Sequence, residues 1–198
     1  MRKVVAGLYL SLDGVTEAPE TWQFDHFDPE MMAGLAASIA REDAVLLGRV
    51  TYEQWAAYWP ASQVEPYASH INAITKYVVS TTLQEVSWQN SYLINGPLVK
   101  EINRLKQEPG GVIGVAGSAT LVHSLLMDDL IDELTLMILP VIAGSGRRLF
   151  GGDSQLKRLE LIQGLTTSSG VAVLTYRPKS SASRPEEPVP DLSQAGVG

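Results

Sequence analysis

Cysteine is absent from the 198-residue sequence, which excludes disulfides, thiolate metal sites and a cysteine nucleophile. Histidine is scarce: His26, His70 and His123 are scattered without metal-ligand spacing, and no metal is expected. No apolar stretch reaches the roughly 20 residues needed to span a bilayer, since Leu134 to Ala143 is about half that length, and no membrane partner is expected. Positive charge is also in deficit, 15 Lys and Arg against 22 Asp and Glu for a net charge of -7. No basic cluster could follow a phosphodiester backbone, so nucleic acid is not an expected partner. The opening MRKVVAGLYLSLDG has two basic residues and an apolar run, as a secretory leader would. Asp13 and Gly14 stand where small residues should precede cleavage, so the run reads as a first strand and a cytoplasmic location is expected.

What is present is enough for a core: 45% of residues are hydrophobic. Residues 1–178 read as one domain. The tail 179–198, proline-rich, polar and without period, is expected to be disordered. Periodicity places strands at Val4–Leu10, Asp43–Leu47, Lys76–Ser80, Tyr92–Asn95 and Val112–Ala116. A long strand is expected over Asp132–Ile142, with Pro140 putting its far end at an edge or bulge, and a closing hairpin over Leu156–Gln163 and Val171–Tyr176. Helices are predicted from Glu30 to about Ala40 with Asp28 as N-cap, after Gly48, from Pro97 to about Gln107, and after Ser118. Pro60 to Pro66 reads as a loop. The alternation predicts an α/β fold, a mostly parallel central sheet flanked by helices and finished by antiparallel strands.

Two strand-to-helix corners stand out. In GVIGVAGSATLVHSLLM the period changes from strand to helix across Gly117 and Ser118, and small residues at Gly117, Ser118 and Ala119 would let a ligand approach the backbone. The free amides of a new helix favour an anion such as phosphate, although Ser118 also fits a plain N-cap. A second buried strand ends at Gly48-Arg49-Val50-Thr51, again glycine before a helix, now with an arginine beside the turn. Ser80 and Thr81 give a hydroxyl-rich edge that suits a turn cap or a phosphate. The loop from Ser11 to Pro19 carries Asp13-Gly14, readable as a type I′ or II′ turn or as a carboxylate beside a ligand. Arg147 and Arg148 are open to two readings, solvated or touching substrate or a partner subunit.

These segments together resemble a known family. LLGRVTYE at 46–53 is similar to the GR-x-T-[WY]-E turn of dihydrofolate reductases, and KYVVST at 76–81 to the strand that follows it. SLDG at 11–14, VAGSATLV at 115–122 and DELTLMILPVIAGSGRRLF at 132–150 are closer to the reductase domain of bacterial riboflavin biosynthesis. The resemblance implies a dihydrofolate reductase-like fold with NADPH across the carboxyl ends of the parallel strands. By that likeness Gly48, Arg49 and Thr51 lie at the pyrophosphate and adenosine side, Ser80 and Thr81 near the 2′-phosphate, and Gly117, Ser118, Ala119 and Thr120 at the opposing turn. Asp13 is the candidate for substrate orientation or proton relay, and Gly14, Trp22, Asp25 and His26 for the substrate pocket. The chain departs from the folate enzymes in lacking an interior carboxylate on the helix after Pro29: Glu30 is at its start and Glu42 beyond its end. The expected activity is therefore NADPH-dependent reduction of a small pyrimidine- or pterin-like heterocycle, similar to 5-amino-6-(5-phosphoribosylamino)uracil reductase. The alternatives are a nucleotide-binding module without turnover, a true dihydrofolate reductase, or a flavin-binding reductase. A homodimer through the apolar strand Leu134–Ile142 is expected.

Overall fold

A computed structural model describes residues 1–151 and 155–179; the predicted tail, apart from Lys179, lies outside the described residues. Eight strands form one sheet: β1 (Val4–Leu10), β2 (Glu42–Gly48), β3 (Thr75–Val79), β4 (Ser91–Ile94), β5 (Val112–Ala116), β6 (Glu133–Ile138), β7 (Leu159–Thr166) and β8 (Ala172–Pro178). Their order is β4-β3-β2-β5-β1-β6-β8-β7, parallel from β4 to β6 and antiparallel at β6-β8 and β8-β7. The helices are α1 (Pro29–Ile39), α2 (Arg49–Tyr58), α3 (Tyr67–Ala73), α4 (Leu98–Gln107) and α5 (Ala119–Met127).

Alternation along β1 decides which layer each side chain serves. Val4, Ala6, Leu8 and Leu10 are buried on one face with Leu46, Ile113 and Val115, under Ile102 and Leu105 of α4 and Leu121, Val122, Leu125 and Leu126 of α5. Each fully buried Leu or Ile there contributes about 1.5–3 kcal/mol of apolar burial. The opposite face holds Val45, Leu47 and Val78 against Tyr52 of α2 and Ile71 of α3. A smaller cluster of Met31, Leu139 and Val171, with Trp22 and Tyr9 against it, closes the β8 side.

Two expectations need correction, and one helix was not expected at all. The segment at 67–73, given no assignment from the sequence, is helix α3: Lys76 is wholly buried and its ammonium donates to the carbonyls of Ile71 (2.8 Å), Asn72 (3.3 Å) and Ile74 (2.8 Å) at the C-terminal end of α3. A cation on the carbonyl end of a helix stabilises it, and this tertiary contact has no periodic signature. The long strand stops at Ile138, because the chain leaves the ladder at Pro140, which lacks an N–H; Ile142 is exposed. β6 also lies between β1 and β8, so it is an interior strand and offers no open edge to a second copy; the sheet's outer strands are β4 and β7.

Candidate functional site

The corners after β2 and β5 lie side by side because those strands are neighbours with parallel register, Leu46 opposite Val115. A Cβ on Gly48 would strike Ser118 Oγ and sit 3.1 Å from Ser118 Cβ. A Cβ on Gly117, whose φ is 67°, would lie 2.8 Å from Thr51 Cγ2 and 3.3 Å from a ring carbon of Trp55. Each corner therefore needs its glycine because the other corner occupies the space. Ser118 caps α5, accepting from the amide of Leu121 at 3.4 Å, whereas Gly48 gives α2 no side-chain cap. Neither helix has an acidic residue in its first turn. Two helix N-termini without carboxylates, meeting through small residues, form a cradle for an anion.

The predicted residues fall into groups. Gly48, Thr51, Gly117, Ser118 and Ala119 are at the paired corners; Arg49 is exposed and bonded to Glu53 one turn on (2.8 Å), and Thr120 is exposed and accepts from Arg147 Nη1 (3.2 Å). Arg147 is thus beside the second corner. Ser80 is buried, and its hydroxyl accepts from the amides of Thr82 (3.1 Å) and Leu83 (3.0 Å), which makes it a turn cap; Thr81 beside it is exposed.

Of the residues expected around a substrate, Asp13 accepts from Ser11 Oγ (2.7 Å) and from the amides of Ala143 (2.9 Å) and Gly144 (3.0 Å), with Arg148 at 3.4 Å. The Ser11 hydroxyl, followed by these amides, lowers its pKa to about 2. Asp13 ties the loop after β1 to residues 143–148. Gly14 takes φ 80°, while neither Leu12 nor Asp13 has positive φ, so the expected primed turn does not form. Trp22 packs into the small cluster beside Met31; Asp25 is exposed; His26 Nδ1 lies 3.3 Å from the carbonyl of Ser169, in the turn between β7 and β8.

The sheet is left open beside these loops. Gly7, in the interior strand β1, is exposed, and of α1 only Met31 is buried, so that helix stands off the sheet face. Gly7 pairs with Ala116, one residue before the Gly117 corner. The same face carries a group the sequence did not suggest. Glu42, first residue of β2, spreads its carboxylate over Gly114, accepts from Ser38 Oγ (3.0 Å) and meets His70 Nε2 (3.3 Å). Its only sequence signal was a glycine in the middle of the apolar run VIGVA.

Comparison with known proteins fits this geometry. The model of the RibD C-terminal domain matches residues 2–173. The uncharacterized protein YyaP of Bacillus subtilis (strain 168) is 31% identical over 182 residues, spanning 88% of this chain and 94% of YyaP. A candidate riboflavin biosynthesis protein from Shewanella sp. PV-4 superposes with a TM-score of 0.75 at 23% identity, covering 90% of this chain and 99% of that one. Dihydrofolate reductase from Enterococcus faecalis, solved with NADP(H), superposes with a TM-score of 0.61 at 13% identity over 90% of this chain and 97% of that one. Among the described residues no helix is long and apolar enough to cross a membrane.

Proposed function

The chain belongs to the RibD C-terminal domain family, a family of reductases, and on that premise we propose that it transfers a hydride from NADPH to a small pyrimidine- or pterin-like heterocycle. The observation that carries the reading is the mutual contact of the corners at Gly48 and Gly117, which supplies two helix N-termini to one diphosphate. Gly48, Arg49 and Thr51 hold one side of the pyrophosphate and Gly117, Ser118, Ala119 and Thr120 the other. Thr81, exposed beside the capped Ser80, faces the 2′-phosphate. The nicotinamide supplies the hydride; the protein binds, orients and excludes water. The substrate lies on the open sheet face at Gly7, between α1 and the loop that Asp13 fixes. Asp13 positions this loop.

Titration calorimetry with NADPH, followed by loss of the reduced nicotinamide's absorbance with pyrimidine and pterin substrates, tests the reading. Micromolar or tighter binding with oxidation supports it. Binding without oxidation across the panel would instead support a nucleotide-binding module without turnover, a reading favoured by one observation: the acid at the start of α1, Glu30, is engaged by Ser168 Oγ at 2.9 Å. We further propose a cytoplasmic homodimer, its contact at the outer strand β7, where Leu161, Ile162 and Leu165 are exposed. A monomer by light scattering would dispose of the dimer.

A further inference from the structure

Resting on the reductase reading, the inference concerns the rim at which Thr81 faces the 2′-phosphate. β4 ends at Ile94, whose carbonyl accepts from the amide of Ser80 at 3.1 Å, so Thr81 and Asn95 leave the sheet side by side. Asn95 and Gly96 then bridge to Pro97, the cap of α4, and form the one Asn-Gly pair in the sequence. Both are exposed, and among the described residues neither the Asn95 side chain nor the Gly96 amide has a hydrogen-bond partner. The other asparagines are held. Asn72 donates to the carbonyls of Trp59 (2.8 Å) and Ala68 (2.9 Å) and accepts from Trp88 Nε1 (3.0 Å), Asn90 donates to the carbonyl of Ala73 (3.0 Å), and Asn103 lies within α4.

An unengaged Asn-Gly pair has an intrinsic reaction, because glycine has no Cβ to obstruct the approach of its nitrogen to the preceding side chain. The Gly96 nitrogen attacks the Asn95 side-chain carbonyl carbon and gives up its proton, closing a five-membered succinimide, and the former side-chain nitrogen leaves as ammonia. Water then opens the ring at one of its two carbonyls, leaving aspartate or isoaspartate. No electrons are gained or lost. The product is heavier by about 1 Da and carries one negative charge at neutral pH.

We propose that Asn95 is a deamidation site, and that its conversion sets a carboxylate on the rim that receives the 2′-phosphate. Affinity for NADPH then falls, whereas NADH, which has a hydroxyl in place of that phosphate, is held as before. Repulsion across several ångströms of water amounts to about threefold to tenfold in Kd.

The test keeps the full-length protein in mildly alkaline buffer, folded or in urea, and follows it by peptide mass spectrometry. The segment holding Asn95 should gain about 1 Da in the folded protein at a rate within about tenfold of that in urea, while those holding Asn72 and Asn90 convert only in urea. Asn95→Gln, which would need a larger ring, and Gly96→Ala, whose Cβ finds ordinary contact with Glu101 at 3.4 Å and no positive φ, should both stay unconverted. Asn95→Asp, the reaction's product, should raise the Kd for NADPH about threefold or more and leave that for NADH within about twofold. Absence of conversion in the folded wild type overturns the site, and an Asn95→Asp protein that weakens both nucleotides equally, or neither, overturns its consequence; either result refutes the inference. Fresh wild type that binds no NADPH overturns the reductase reading instead, and the mass measurement still decides the modification.

Discussion

The contact between the two corners sets up a double-mutant cycle. Gly48 has φ -76° and ψ 158°, extended backbone that alanine adopts freely, so Gly48→Ala introduces no dihedral strain and acts only through the space its Cβ takes. That space belongs to Ser118, whose Cβ would be 3.1 Å away and whose hydroxyl would be closer still. Ser118 must turn aside, losing the cap on α5 at about 1 kcal/mol, and the close Cβ contact adds an overpacking cost, for a total of about 1–3 kcal/mol. Glycine is nearly as good an N-cap as serine, so Ser118→Gly alone should cost only a few tenths of a kcal/mol. The double variant removes both atoms that the new methyl meets and should recover about 1 kcal/mol or more of the Gly48→Ala loss. Urea unfolding of the four proteins reads the cycle, and in melting temperature the recovery corresponds to roughly 2–4 °C per kcal/mol. Strict additivity of the two substitutions, or a Gly48→Ala protein as stable as wild type, would falsify the claim that the corners touch and remove the basis of the dinucleotide cradle.

Arg49 is half-exposed and its pair with Glu53 is a surface one, so Arg49→Met should leave stability within about 1 kcal/mol while raising the Kd for NADPH about tenfold; a lowered melting point with unchanged affinity would return the arginine to helix stabilisation alone. Lys76→Met strands three carbonyls and removes an ammonium 4.5 Å from the Trp88 ring, so urea unfolding should show a loss of about 3 kcal/mol or more; an unchanged midpoint refutes the cage. Asp13 titrates lower in the folded protein, about 2 against an ordinary 3.8. Its stabilisation is therefore present above the ordinary value and is lost as pH falls through that window. Melting curves of wild type and Asp13→Asn should converge on acidification through it; a constant gap would show that the carboxylate's charge is immaterial.

The parallel strands were legible because β2 and β5, buried on both faces, are near-continuous apolar runs, and both corners were marked by glycine at the change of period. The cap at Asp28 was legible for the same local reason: its side chain accepts from the amide of Met31 at 2.8 Å. Long-range features were not. YASHINA has no apolar stripe, and its helix is completed by Lys76 from the next strand. The apolar run through Ile142 concealed the departure of β6 at Pro140. At Asp13 the sequence offered substrate orientation or proton relay, but it could not show the partners, the amides of Ala143 and Gly144, about 130 residues away, that tie this loop to the segment after β6. Glu42 was read by its position past the end of α1, whereas its place is set by Gly114 on another strand.

The strand order also governs how the chain must come together. β1 has its neighbours in β5 and β6, more than 100 residues further along: Val4 pairs with Ile113 and Val5 with Glu133. Until β5 has emerged, this apolar strand has neither ladder partner, and the β2-β3-β4 unit can pair only with itself. Non-local pairing of this kind slows folding and prolongs the exposure of unpaired edges. The layout that brings the two corners together at the sheet's centre thus makes the nascent chain dependent on β5, which must arrive before either half of the parallel sheet can close on the other.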